Sequence, residues 1–280
     1  MARTKTTSSD ERAEAPYVSL WRLAKGALAP PPGRGRIALA LAYGLIVHLL
    51  FTVAVVAMIW AMFFGMSRSF GIVPSPYSWV VNGLLLAQFP LVHSALLNGW
   101  GGRLLRFLAP DRHAGTLSTT LYAIVASAQL ALLFLLWTPS GVIWWQAEGW
   151  AFYGIAAAYC TAWLLLIKAS YDAGAEVQAG ALGWMSLLQN IKPKFPDMPV
   201  TGLFRLIRQP IYVSFALTLW TVPIWTPDQL LVAVVLTTYC LLAPRLKERR
   251  FQARYGQRFE QYKAHVPYAM PCPWRRTEND

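Results

Sequence analysis

Arg208-Gln209-Pro210-Ile211-Tyr212 places a cation, an amide and a phenol together, at a point where Pro210 can begin a helix. Read alone, such a run is an interfacial anchor, with the arginine stem snorkelling and the tyrosine in the aromatic belt. A later carboxylate does not fit so bland an account. On a helix at about 100° per residue, Glu248, Phe251, Tyr255, Phe259, Tyr262 and Val266 share one stripe, with Arg249, Arg250, Arg254 and Lys263 mainly off it. The basic face suits anionic lipid. Glu248 in the middle of the apolar-aromatic stripe does not, because a buried carboxylate is costly unless paired. Two roles stay open for it: a structural ion pair with an arginine near Pro210, or a seat for a cationic ligand group.

Other polar side chains fall inside apolar stretches: His48, Gln88, His93 and Gln129. Ionisable groups in a bilayer are functional by default, and two histidines could ligate a haem. Hydrogen bonds to a neighbouring helix are the commoner use. Cys160, Cys240 and Cys272 are far apart and form no CxxC, which suits neither a disulfide framework nor a zinc site. No GxGxxG follows a strand, so no Rossmann domain is expected.

The elements that must position these residues are membrane helices. Apolar residues make up 56% of the 280, and charged residues 14%, against about 25% in soluble domains. A soluble fold of this size lacks the interior to hide so much apolar surface. Apolar spans run over roughly 37–66, 78–97, 117–137, 150–168, 210–225 and 230–244. The first is too long for a signal-peptide core, so no cleavable leader is expected. The last two are short and read as a tight helical hairpin. Its turn, Thr226-Pro227-Asp228-Gln229, has a capping Thr, Pro at the first helical position and Gln three residues after the Thr. Residues 1–36 form a basic tail, in which Tyr17, Leu20, Trp21, Ala24 and Leu28 recur at helical spacing. Residues 37–244 form the membrane domain, and 245–280 an amphipathic helix and tail.

The net charge of +12 raises nucleic acid as a partner. Its distribution argues for membrane topology instead. Lys and Arg number seven in 1–36, three in 98–116, four in 169–209 and nine in 245–280; the alternate connections hold only Arg68. This is the positive-inside pattern for six spans with both termini cytoplasmic. Trp60, Trp79, Trp137, Trp144, Trp145, Trp150, Trp220 and Trp225 gather toward the opposite side, as an aromatic belt does. The expected fold is all-α and polytopic, with about six transmembrane helices. The last two form the hairpin, followed by an amphipathic cytoplasmic helix.

Residues 198–271 resemble the isoprenylcysteine carboxyl methyltransferase superfamily, and are closest to its bacterial methanethiol S-methyltransferase-like branch. That pattern is Arg-His-Pro-x-Tyr before a short hairpin, then a Glu-Glu pair, a Gly, spaced tyrosines and a Val-Pro. The matching residues are Arg208, Gln209, Pro210 and Tyr212, then Lys247 and Glu248, then Gly256, Phe259, Tyr262, Val266 and Pro267. His93-Ser94 resembles the branch's His-Ser motif. Four positions depart: Gln209 replaces the His, Lys247 the first Glu and Phe259 a tyrosine, while Val213-Ser214 stand where a glycine commonly follows the Tyr.

The resemblance implies a cytoplasm-facing cavity for S-adenosylmethionine, roofed by the C-terminal helix, with the acceptor entering from the membrane. It assigns Arg208, Gln209, Tyr212 and Glu248 to the cofactor, Tyr255 and Tyr262 to the roof, and His93 to the acceptor side. No catalytic residue and no metal follow from it. The acceptor is a small or lipophilic thiol, carboxylate or lipid amine. Two alternatives stand beside this reading. One is a diverged member with another lipid-modifying or haem-dependent activity; the other is a non-enzymatic membrane assembly factor. Membrane lipids are expected partners, nucleic acid is not, and no protein partner can be named.

Overall fold

The computed structural model describes residues 16–97 and 99–271. Twelve α-helices form in the described residues: α1 Pro16–Ala27, α2 Arg34–Phe63, α3 Tyr77–Leu96, α4 Gly99–Arg106, α5 Asp111–Ala114, α6 Ser118–Leu136, α7 Gly149–Asp172, α8 Ala175–Gln178, α9 Ala181–Leu188, α10 Pro210–Trp220, α11 Pro227–Tyr255 and α12 Gln257–His265. A 3₁₀ turn spans Gly202–Arg205, and two short strands, β1 Trp145–Gln146 and β2 Ile224–Trp225, pair antiparallel. Five helices (α2, α3, α6, α7 and α11) are long and apolar enough to cross a membrane, and α10 is a shorter apolar one. The all-α, polytopic expectation holds.

Leu41, Leu45, Leu49, Val56 and Trp60 make an exposed apolar stripe down α2. Their three-to-four-residue spacing marks one helix face, and in a protein of this composition lipid is what covers such a face. The opposite face of α2 buries small residues, Ala40, Gly44, Ala54, Ala57 and Ala61, which let α6 and α9 approach. α10 lies between α7 and α11, and α3 between α6 and α11. Met62, Leu133, Phe134, Trp137, Leu219 and Leu236 form the main core.

The connections segregate into two ends. At one, Thr226 Oγ1 donates to Gly65 O, Phe70 N to Leu135 O, and Trp144 N to Trp225 O. At the other, Arg36 reaches the carbonyls of Leu187 and Leu188, and the amide of Arg208 donates to Pro267 O. The second end carries the basic segments.

Four expectations change. The last apolar stretch belongs to one 29-residue helix that runs through Pro244 to Tyr255, so residues 245–255 continue the same helix. The continuous helix expected over 245–266 is broken at Gly256, whose φ of 51° and ψ of −123° favour glycine. α10 is shorter than expected, with 11 residues. Extended residues continue its path, and their backbone groups are satisfied by the β1–β2 pairing. Trp137 is no belt residue: it is fully buried, and its indole N–H donates to Asp228 Oδ1 at 3.0 Å.

In the basic tail, α1 packs on α9, with Leu23 buried and Trp21 and Leu28 exposed. The tail before residue 16 and Cys272 lie outside the described residues.

Candidate functional site

Arg208 and Gln209 stand immediately before α10, and Pro210 starts it without needing an N–H of its own. The strand-like Val266 must be extended because Pro267 follows. That turn brings the carbonyls of Pro267 and Tyr268 onto the amides of Arg208 and Gln209, at 2.9 and 3.2 Å. Two distant segments of the resemblance, Arg-Gln-Pro and Val-Pro, are thereby locked together through the backbone.

The side chains converge on Glu248 of α11. Arg208 Nε and Gln209 Nε2 both donate to its Oε1, each at 2.8 Å. Arg208 Nη1 also donates to Val266 O at 2.6 Å and Lys263 O at 3.2 Å. These carbonyls close α12, where a cation is favoured by the helix dipole and by unmet acceptors. One guanidinium thus joins α10, α11 and α12. Of the two roles left open for Glu248, the structure displays the ion pair.

Gln209 is almost fully buried. Its amide nitrogen serves Glu248, and its oxygen faces Lys247 Nζ at 3.5 Å, the outer limit of a hydrogen bond. An amide has one donating and one accepting end, and here they meet a carboxylate and an ammonium. The two polar departures from the family pattern, Gln209 and Lys247, are therefore neighbours. Lys247 Nζ also lies 5.3–5.9 Å from the ring centres of Phe251, Phe204 and Tyr212.

Arg208, Gln209, Glu248 and Tyr262 line a cavity of about 10 Å³ with Lys247 and Phe251, room for one water. Tyr262 donates to Phe204 O at 2.7 Å, and burial pushes its phenol above the ordinary range, so it remains a donor. Phe251, Phe259 and Tyr262 form a ladder of ring contacts from α11 to α12, and Phe251 also meets Tyr255. A second, open cleft of about 220 Å³ adjoins, sharing Pro199, Lys247 and Phe251 with the first and adding Tyr255, Arg254, Gln178 and Asp197. Asp197 is paired with Arg258 at 2.6 Å. A wider cleft of about 540 Å³, lined by Arg106, Asp111, Arg112 and Lys192, shares no residue with either.

Four of the six residues assigned to the cofactor and its roof thus meet at one cavity, Tyr255 lines the neighbouring cleft, and Tyr212 lies under the Lys247 ammonium. His93 is not brought to this cluster. Its Nε2 pairs with the Tyr122 hydroxyl at 2.6 Å, and beside it Ser94 faces the Tyr239 hydroxyl at 3.4 Å. Arg250 lies within electrostatic reach of His93, Tyr122, Tyr212 and Tyr239. The haem alternative loses its ligands. His48 Nε2 accepts from Trp184 Nε1 at 3.1 Å and His93 Nε2 is held by Tyr122, so each uses its usual axial donor on a side chain. Gln88 and Gln129 bond each other across α3 and α6, helix glue in place of a site.

Lys247, Arg254, Phe251, Phe204 and Gln178 were not singled out as site residues from the sequence. Lys247 stood beside Glu248 in the motif, and that adjacency was the available signal.

No family model matches the chain, and no solved structure matches it. Among curated proteins it is 28% identical over 202 residues to the methanethiol S-methyltransferase of Mycobacterium tuberculosis, covering 71% of this chain and 80% of that protein. It is 27% identical over 206 residues to methanethiol S-methyltransferase 1 of Bradyrhizobium diazoefficiens, covering 71% and 68%. Nurim of Sus scrofa, whose name states no activity, is 29% identical over 203 residues, covering 68% and 73%. The chain is therefore a homologue of the methanethiol S-methyltransferases and of nurim, in keeping with the isoprenylcysteine carboxyl methyltransferase-like resemblance of residues 198–271.

Proposed function

We propose that this protein is a membrane-embedded methyltransferase that uses S-adenosylmethionine and methylates a small lipophilic acceptor, with a thiol the first to test. The observation that carries the reading is the convergence of Arg208, Gln209, Glu248 and Tyr262 on one cavity in a chain whose relatives are named methyltransferases. Both ends of the chain face the cytoplasm in this reading, as the positive-inside pattern requires.

The residues present fit the cofactor chemically. Glu248 offers a carboxylate for an ammonium, with Oε2 free of any hydrogen bond among the described residues while Oε1 holds two. Phe204, Phe251, Tyr255 and Tyr262 offer ring faces for a flat base or a sulfonium. The cleft of about 220 Å³ is below the 300–1,000 Å³ usual for small-molecule sites. Only Pro199, Lys247 and Phe251 are shared between it and the smaller cavity. Reorienting the last two side chains would join the spaces.

When bound, the cofactor supplies a methyl group activated by a sulfonium. The protein's part is to align and enclose. Arg208 fixes three helices around the site, the aromatic ladder excludes water, and the Tyr262 hydroxyl pins α12 to the 3₁₀ turn. Holding donor and acceptor in near-attack geometry, about 3–3.5 Å apart, accounts for much of the acceleration such a displacement needs. Gln209 cannot titrate, so any proton taken from a thiol goes to solvent or another group.

Calorimetry on detergent-purified protein tests the reading. Micromolar binding of S-adenosylmethionine, weakened at least tenfold in Glu248→Ala, is expected. Conversion of methanethiol to dimethyl sulfide would then identify the acceptor. Folded wild-type protein that binds no cofactor would overturn the reading, and a fall in melting temperature alone for Glu248→Ala would leave Glu248 a structural ion-pair partner.

A further inference from the structure

We propose that the 220 Å³ cleft contains an anion subsite, in which Lys247 takes the carboxylate of the cofactor's amino-acid moiety; this rests on the methyltransferase reading. The argument begins with an unusual cation. The Lys247 ammonium sits among Phe204, Tyr212 and Phe251. Among the described residues no carboxylate lies within ion-pair distance of it. Its sequence neighbour Glu248 is already engaged through Oε1 by Arg208 and Gln209. Among the described residues the sole hydrogen-bond partner of the ammonium is the Gln209 amide oxygen, at 3.5 Å. A partly buried charge held this way is under-compensated, because ring faces and one long amide contact do not replace its hydration.

Position turns that deficit into a site. Lys247 lines both cavities, so the residue stands at their partition. The cleft's other cation is Arg254. Its one carboxylate, Asp197, is neutralised by Arg258 at 2.6 Å. The remaining wall is largely apolar or aromatic, including Phe195, Pro196, Ile211, Phe251 and Tyr255. A space with net positive lining and ring faces selects a ligand with an anionic tip on a flat or apolar body. Glu248, one residue further along α11, faces the smaller cavity. Adjacent ammonium and carboxylate side chains therefore complement a zwitterionic amino-acid group, the carboxylate at Lys247 and the ammonium at Glu248. Gln209 between them fixes their spacing.

The test compares two ligands that differ only in the carboxylate: S-adenosylmethionine and its decarboxylated form. Calorimetry uses the full chain in detergent, as wild type, Lys247→Gln and Lys247→Arg, each checked by thermal melting. Wild type is expected to prefer the carboxylated ligand by about 10- to 100-fold, the worth of a charged hydrogen bond. Lys247→Gln should lose that preference while its affinity for the decarboxylated ligand stays within about twofold, and Lys247→Arg should keep it. Equal wild-type affinities overturn the assignment. So does a Lys247→Gln variant that weakens both ligands alike, which marks a structural role. If Lys247→Gln does not fold, the wild-type and Lys247→Arg comparisons decide. Failure of the methyltransferase reading looks different: folded wild type binds neither ligand, and the subsite falls with it.

Discussion

Two carboxylates within the helical body are handled in opposite ways. Glu248 receives a guanidinium and an amide on one oxygen. Glu176, in α8, is fully buried, and neither of its oxygens has a hydrogen-bond partner among the described residues. Leaving a buried polar group unpaired costs about 1–3 kcal/mol, more when it is charged. Glu176→Met removes the unpaired oxygens and keeps much of the volume, so it should raise stability by about 1–3 kcal/mol, read as a higher melting temperature in the same detergent. A lower melting temperature would show that the carboxyl group has a partner in the folded protein. Truncation of Arg208 has the opposite sign. Arg208→Ala strands Glu248 and uncaps α12, and about 3–5 kcal/mol should be lost. Thermal unfolding would register it, and Arg208→Lys should rescue little because lysine has no fork. At this scale the sequence exposed Glu248, since a carboxylate on an aromatic stripe violates its periodic pattern. It did not expose Glu176, whose burial depends on how α8 and its neighbours fold back.

The hairpin α10–α11 and its sequel α12 carry the site, and their junctions decide its geometry. Thr226 Oγ1 accepts from Gln229 N at 2.9 Å, so the expected cap is present. The Gln229 side chain does not complete the box; its amide instead donates to Leu219 O at 2.7 Å and ties α11 to α10. The decisive junction is Gly256. Its φ of 51° and ψ of −123° are strained for any side chain, although a Cβ there meets open space. Gly256→Ala should therefore cost about 1–3 kcal/mol through the backbone alone. Because α12 hangs on this turn, limited proteolysis should cut beyond Tyr255 faster in the variant, and unchanged cleavage would mean that the contacts of Arg208 and Tyr262 hold α12 by themselves. The break was hidden in the sequence because the stripe from Glu248 to Val266 continues in phase on both sides of it.

At the level of the whole molecule, the two ends differ in chemistry. One carries the basic segments and the Arg208–Glu248 cluster. The other carries exposed Trp60, Trp79, Trp144, Trp145, Trp150 and Trp220. The turn at Thr226 is bonded to Gly65, so the α10–α11 hairpin returns from that Trp-rich end even though α10 has only 11 residues. Six traverses place both termini on the same side; five would separate them. Reporter fusions at residues 1 and 280 should both report cytoplasm, and a reporter in the connection 137–148 should report the far side. Termini on opposite sides would mean that the hairpin does not cross.

The sequence by itself determined the class, the first four spans and the charged and Trp-rich ends, because hydropathy and charge act on each segment independently of its neighbours. It also exposed the Arg208, Gln209 and Glu248 trio, through order and spacing. Only the tertiary structure decided which groups pair. Arg208 and Glu248 are forty residues apart, and their bond exists because α10 and α11 fold into a hairpin and the Val266-Pro267 turn closes over its mouth. The removal of Trp137 from the belt, the use of His48 and His93 on side-chain partners, and the exposure of Lys247 to two cavities have the same origin. Each depends on which helix faces which, and the period of a single helix does not contain that information.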